Sequence, residues 1–162
     1  MNDTAAVEAY LHKHIPLSGE MGARVLQATP ELVLLEAPLA PNINHRSTVF
    51  GGSLSALAIL AGWAMVHFRL RDEGLEVRTV IHGNSVRYEE PAYGTFQARC
   101  SEPHPKDWAR FVGTIGRRGK GRIQVEVELL SEGVVVGHCT SRYVALERSL
   151  ADAASRAVPP SE

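Results

Sequence analysis

The sequence is sparing with cysteine, with net charge and with uninterrupted apolar runs, and each shortage removes a class of protein. Of 162 residues only two are cysteine. Cys100 and Cys139 both sit in alternating apolar stretches and read as reduced core residues, which excludes a disulfide scaffold. The net charge of −1 is too small a field to draw the chain to nucleic acid or to a membrane surface, so neither is expected as a partner. The longest apolar run, Leu54 to Phe68, is broken by serine and glycine and falls short of the roughly 18 residues that a bilayer-spanning helix needs. No basic-plus-apolar leader opens the sequence, and the expected location is the cytoplasm. The seven histidines keep no zinc-binding spacing, and neither a phosphate-binding loop nor a dinucleotide fingerprint is present. No metal and no bound cofactor are therefore expected.

What is present is an ordinary globular composition, 44% hydrophobic and 22% charged, in a length that suits one domain with a real core. The domain is expected over 1–147, with an Ala-, Ser- and Pro-rich tail over 148–162 that frays. The most informative stretch runs from Asn42 to Leu54. A polar loop holding Asn42, Asn44, His45, Arg46, Ser47 and Thr48 meets Phe50, Gly51 and Gly52 and then becomes an apolar segment. The glycine pair lets a ligand approach the backbone, and a helix starting there offers free N–H groups at its positive dipole end. That is a site for an anionic oxygen.

Along the chain, residues 3–14 read as a short helix capped by Asp3 or Thr4 and ended by Pro16. Strands are expected over Gly22 to Thr29 and Leu32 to Ala37, then a loop to Thr48. The central helix, Val49 to Arg71, is apolar nearly all the way round, which predicts burial on several sides. Five strands are expected after Gly74: Val77–Glu89, Thr95–Glu102, Ala109–Arg117, Arg122–Ser131 and Val134–Leu146. A shift of apolar parity at His82 to Asn84 predicts a bulge, and Gly116 to Gly121 and Glu132-Gly133 read as hairpin turns. Trp63 and Trp108 are expected to bury their area. The order predicts an α+β domain, one antiparallel sheet around one long central helix.

With Asn44 six residues before Phe50-Gly51-Gly52, this order resembles the hotdog superfamily of acyl-thioester enzymes. Thioesterases of that superfamily carry an Asn, a His-Gly-Gly six residues on, and an aspartate nine residues after the histidine. Here Phe50 stands at the histidine and Ile59 at the aspartate. The Val86 to Pro91 run also resembles the strand that follows the helix in these enzymes. Pro41 to Leu54, followed by Leu57-Ala58 and Ala61-Gly62-Trp63, is similar to a narrower bacterial group long labelled "putative thioesterase". Members of that group stand alone or follow an acetyltransferase domain, and have been reassigned as malonyl-ACP decarboxylases. The resemblance spans roughly Ile15 to Leu146. It implies a hotdog fold, a homodimer or dimer of dimers joined sheet edge to sheet edge, and sites at the subunit interface. The substrate it implies is an acyl group on the phosphopantetheine of acyl carrier protein or coenzyme A.

The residues permit decarboxylation of a malonyl thioester without a base, provided donors hold the thioester oxygen as negative charge develops there. Asn44 with the Gly51 or Gly52 N–H is assigned as that oxyanion hole, and Ser53 or Thr48 as the holder of the carboxylate or of a protonating water. Asn42, His45, Arg46 and Phe50 are assigned to substrate binding, and Arg117, Arg118 and Lys120, with Arg110 and Arg122, to the acidic carrier or the phosphates of coenzyme A. Hydrolysis using His45 or Glu89 and Glu90, and a binding module without catalysis, are the alternatives.

Overall fold

In a computed structural model the described residues are Met1 and 3–147; the expected tail, 148–162, lies outside them. Helix α1 (Thr4–His14) is capped by Asp3, whose carboxylate accepts from the Ala6 N–H. Pro16 does not merely end it: it occupies the first turn of a second short helix, α2 (Pro16–Glu20), where its missing N–H costs nothing. Strands β1 (Arg24–Ala28) and β2 (Leu32–Ala37) follow, and Ala40–Asn42 forms a single 3-10 turn.

The central helix α3 (Gly51–Asp72) begins two residues later than expected, because Phe50 is still extended and acts as its N-cap. After it come β3 (Val77–Tyr88), β4 (Phe96–Ser101), α4 (Pro105–Arg118), β5 (Lys120–Ser131) and β6 (Val134–Glu147). The segment expected as a strand over Ala109–Arg117 is helical. Pro105 sits in the first turn behind His104, and Trp108, Phe111 and Ile115 recur at helical spacing on the buried face. The expected hairpin turn at Gly116 to Gly121 is accordingly a helix terminus, with Gly119 at φ 64° in the left-handed region that closes a helix.

The six strands form one antiparallel sheet in the order β1-β2-β4-β5-β6-β3. The pairing of β3 with β6 shifts between Ile81 and Gly83, where the bulge was expected, and Glu132-Gly133 turns β5 into β6. Leu57, Ala58, Ala61, Ala64, Met65 and Val66 of α3 are fully buried against the sheet. The helix meets it closely at Gly62, where a Cβ would stand 2.8 Å from the Tyr143 hydroxyl and 3.0 Å from Val125 Cγ2. Tyr143 donates to the Ile59 carbonyl at 2.7 Å. Helix α3 is the one helix among the described residues that is long and apolar enough to cross a membrane, and 67% of that apolar window is buried inside the fold. Cys100 and Cys139 are free and buried, and both pair with Val127 from opposite sides. Trp108 is buried; Trp63 is partly so and donates to the Thr79 carbonyl.

Candidate active site

The loop before α3 is organised by two asparagines with different tasks. Asn42 is buried, and its amide nitrogen donates to the carbonyls of Met21 and Pro38, both at 2.8 Å. Those bonds tie the loop to the end of α2 and to β2, a buried amide in a role its burial requires. Asn44 is half-buried and sits inside a tight turn. Its amide nitrogen donates to Thr48 Oγ1 (2.9 Å) and to the Val49 carbonyl (3.2 Å), while its oxygen accepts from the N–H groups of Arg46 (2.8 Å) and Thr48 (3.3 Å). The turn passes through Ser47 at φ 60°, an uncommon conformation for a residue with a side chain, which these four bonds hold in place. His45 and Arg46 project from it into solvent.

The chain then delivers Phe50, whose N–H donates to the Asn42 carbonyl at 2.7 Å, and turns into α3. Among the described residues the N–H groups of Gly51 and Gly52 have no partner, whereas those of Ser53 and Leu54 already bond to Phe50. Two adjacent donors therefore stand open at the positive end of a 22-residue helix. The Phe50 ring, 58% exposed, lies over Gly52 so closely that a Cβ there would fall 2.2 Å from it. Beneath the ring a cavity of about 310 Å³ is lined by Leu17, Glu20, Met21, Gly52, Ser53 and Ala56, among others.

On the other side of the helix start stands Tyr88, the last residue of β3. Its hydroxyl donates to the Gly51 carbonyl at 2.8 Å, and its ring covers the Gly51 Cα. Partial burial, and then the nearby Cys139, raise the phenol above its ordinary acidity range. A polar row continues from there. Asn84 donates to Ser55 Oγ at 3.3 Å, and Cys139 lies 3.3 Å from Ser141 Oγ. Burial pushes the Cys139 thiol up, with the bonds to Ser141 and Asn84 opposing the shift.

The structure thus gathers Asn44, Thr48, Phe50, Gly51, Gly52 and Ser53 at one end of α3, with Asn42 as their anchor. It places Arg117, Arg118 and Lys120 elsewhere. The expected basic hairpin is the last turn of α4 plus the first residues of β5; Lys120 pairs with Leu146, next to the Glu147–Val77 pair at the start of β3, while the first turn of α4 meets the C-terminal end of α3, where Trp108 donates to Glu73 at 2.6 Å and Arg69 stacks over its ring. Helix α3, roughly 33 Å long, runs between the two regions. Of the strand carboxylates, Glu89 is engaged with Arg87 (2.9 Å) and His138 (3.7 Å). Sequence reasoning passed over Tyr88 and Glu20. The parity change after the bulge, which turns Val86 and Tyr88 toward the helix, is the pattern that points to the first; Glu20 ends a five-residue helix and has no comparable pattern.

Helix α3 itself carries no acid until Asp72, and the position where hotdog thioesterases place aspartate is Ile59, whose carbonyl receives Tyr143. Comparison with known proteins agrees with this fold. A protein of unknown function from Chlorobaculum tepidum TLS is 28% identical and superposes with a TM-score of 0.85 over 90% of this chain and 94% of its own. A "putative thioesterase" from Shewanella oneidensis is 26% identical with a TM-score of 0.78, over 88% and 96% of the two chains. A "probable thioesterase" from Pseudomonas aeruginosa, 23% identical with a TM-score of 0.77 over 90% and 97%, shares the fold. The family model described as "Putative thioesterase (yiiD_Cterm)" matches residues 4–147. With that match over almost all of the described chain, on a sheet and helix arranged as in the hotdog-fold thioesterases, this protein belongs to the yiiD_Cterm "putative thioesterase" family.

Proposed function

We propose that the protein decarboxylates a malonyl thioester carried on acyl carrier protein, or on coenzyme A, to the acetyl thioester that primes fatty acid synthesis. The observation that carries this reading is a pair of open backbone donors at the start of a helix that has no carboxylate along its buried length. In the reaction the bond between the α-carbon and the carboxylate breaks, CO2 departs, and the electron pair passes into an enolate centred on the thioester oxygen. A proton from water then completes the acetyl group. No step needs a base to activate water. What the reaction requires is stabilisation of the enolate oxygen, which the Gly51 and Gly52 N–H groups and the helix dipole behind them supply. Asn44, expected as an oxyanion donor, spends both amide hydrogens on Thr48 and Val49 and instead fixes the turn that presents them, and Ser53, at the cavity, holds the departing carboxylate or the water. Arg46, exposed at the loop, meets the incoming anion without forming a tight ion pair, which would stabilise the substrate over the transition state.

The working unit in this reading is a homodimer. Strand β3 is an edge strand of 12 residues, with Ile81 40% and Tyr88 50% exposed, and a second copy covers it by antiparallel pairing. One observation favours a second reading, thioester hydrolysis: Glu20 lines the same cavity as Gly52 and Ser53, where a carboxylate is able to activate water.

Mass spectrometry of malonyl-ACP incubated with the protein separates the two. Loss of the mass of CO2 with the thioester intact, slowed about 10²-fold in Asn44→Ala and retained in Glu20→Gln, supports decarboxylation. Release of free carrier thiol that depends on Glu20 replaces it with hydrolysis. No change on any acyl carrier leaves a binding module.

A further inference from the structure

The cavity beneath Phe50 is lined by an acid and by no cation. Glu20 is its one charged side chain, set among the apolar walls of Leu17, Met21 and Ala56, and it has no ion-pair partner among the described residues. The neighbouring Asn42 amide is already engaged with the Met21 and Pro38 carbonyls. Glu20 is also held in place relative to the donor pair. The Met21 carbonyl, one residue on, accepts from the Asn42 amide at 2.8 Å, and the Asn42 carbonyl accepts from the Phe50 N–H at 2.7 Å. Asn42 therefore clamps the end of α2 to the residue that precedes Gly51.

A malonyl group whose carboxylate rests at Ser53 brings a second negative charge into this cavity. Treated as a sphere, a cavity of about 310 Å³ is about 8 Å across, a span over which two like charges repel measurably. In the bound substrate the charge sits on the carboxylate. As the bond to the α-carbon breaks, the electron pair moves to the thioester oxygen at the Gly51 and Gly52 N–H groups, and the carboxylate departs as neutral CO2. Charge thus leaves the atoms that share a cavity with Glu20 and arrives on an atom that the helix start stabilises. A repulsion present in the bound substrate and relieved in the transition state lowers the barrier between them, whereas an ion pair at the same place would raise it.

We infer that Glu20 drives the loss of CO2 by its charge alone: held by the Asn42 clamp, its carboxylate destabilises the bound malonyl group relative to the transition state, and it neither gives nor takes a proton. The inference rests on the decarboxylation reading, and on the substrate carboxylate lying at Ser53. It gives Glu20 a duty different from the one it has in hydrolysis, where the same carboxylate takes a proton from water. Across about 8 Å the repulsion corresponds to a factor of about 2 in a water-like medium and about 30 at a dielectric typical of a protein surface. Glu20 is exposed, so water and salt screen it, and the lower part of that range is expected.

Binding and turnover measured side by side test it. Glu20→Gln removes the charge at nearly constant shape, and Glu20→Asp keeps the charge. Each variant is titrated with two carrier-protein ligands in which nitrogen replaces the thioester sulfur, one malonyl and one acetyl. The rate of CO2 loss from malonyl-ACP is followed in a single turnover by mass spectrometry. Glu20→Gln is expected to bind the malonyl amide about threefold to tenfold more tightly than wild type and to lose CO2 more slowly by a similar factor. Its affinity for the acetyl amide, and both properties of Glu20→Asp, are expected to stay near those of wild type. Unchanged affinity for the malonyl amide in Glu20→Gln, equal tightening towards both amides, an unchanged or faster loss of CO2, or a Glu20→Asp variant that behaves like Glu20→Gln each overturns the inference and leaves the decarboxylation reading intact. A wild-type protein that leaves malonyl-ACP unchanged, or that releases free carrier thiol only while Glu20 is present, removes the decarboxylation reading and the inference with it.

Discussion

The Tyr88 hydroxyl donates to the Gly51 carbonyl at 2.8 Å, joining the last residue of β3 to the first residue of α3. This bond couples the edge of the sheet to the donor pair of the site. Tyr88→Phe keeps the ring over Gly51 and removes only the bond. Because the group is half-exposed and water replaces it, the expected loss of stability is about 0.5–1 kcal/mol, read as a lower urea midpoint at unchanged slope.

Asn44 contributes through four bonds within its own turn. Asn44→Ala frees that turn and shifts Gly51 and Gly52 relative to the substrate. A displacement of about 1 Å is enough to lower turnover about 10²-fold. The measurement is kcat on malonyl-ACP against unfolding midpoint; a fall in stability with unchanged kcat would make the turn purely structural.

Gly52→Ala drives its Cβ into the Phe50 ring, at 2.2 Å from Cε1. The ring is mostly exposed and swings away cheaply, so Tm is expected to change by no more than a few degrees. The rim of the cavity opens, and KM for the acyl thioester is expected to rise by more than the stability change accounts for.

Gly62→Ala meets neighbours that have nowhere to go. Tyr143 is fully buried and bonded to Ile59, and Val125 is buried beside it. Despite the roughly 1 kcal/mol of helix propensity that alanine gains over glycine, the expected outcome is destabilisation by about 1–3 kcal/mol in urea unfolding. Pairing it with Tyr143→Phe, which deletes the nearest atom, is expected to recover part of the loss.

Stability is expected to fall in alkaline solution. Burial pushes the Cys100 thiol up to about 12 from an ordinary 9.0, with the charges of Cys139 and Glu126 adding to the shift. The folded protein therefore keeps a proton that the unfolded chain has lost. The contribution is full below pH 9 and is lost as pH rises toward 12. Tyr143 and Tyr88, raised above 10.0 chiefly by burial, act in the same direction at higher pH. Urea midpoints between pH 8 and 12 are the test, with Cys100→Ala expected to decline less steeply.

Much of this architecture is legible from periodicity. The alternation of Ile123, Val125, Val127 and Leu129 marks β5, and the parity shift near Gly83 marks the bulge, because a half-buried strand must alternate. The sequence of α4 suggests a strand because Phe111, Val112 and Ile115 favour strands individually, as does Thr114. Only the burial of Trp108, Phe111 and Ile115 together on one face exposes the helical period. In the site, the Gly51-Gly52 step announces an open helix start. The different tasks of Asn42 and Asn44 are set by contacts with Met21, Pro38 and Val49, which no local pattern encodes. The distance of Arg118 and Lys120 from that step likewise follows from sheet order, which hydropathy does not convey.

Strand β3 leaves α3 directly in the chain, yet its neighbour in the sheet is β6, so Val77 waits for Glu147. During synthesis the helix and its glycine pair emerge from the ribosome long before the strand that will seat Tyr88 against them has anything to pair with. A nascent chain halted ahead of Val134 carries every residue of the Asn42–Ser53 loop but has an unpartnered, half-apolar ribbon where β3 should lie. Chaperone capture of such chains should therefore persist until β6 has been made, and the site forms among the last events of folding although its loop is translated well before that strand.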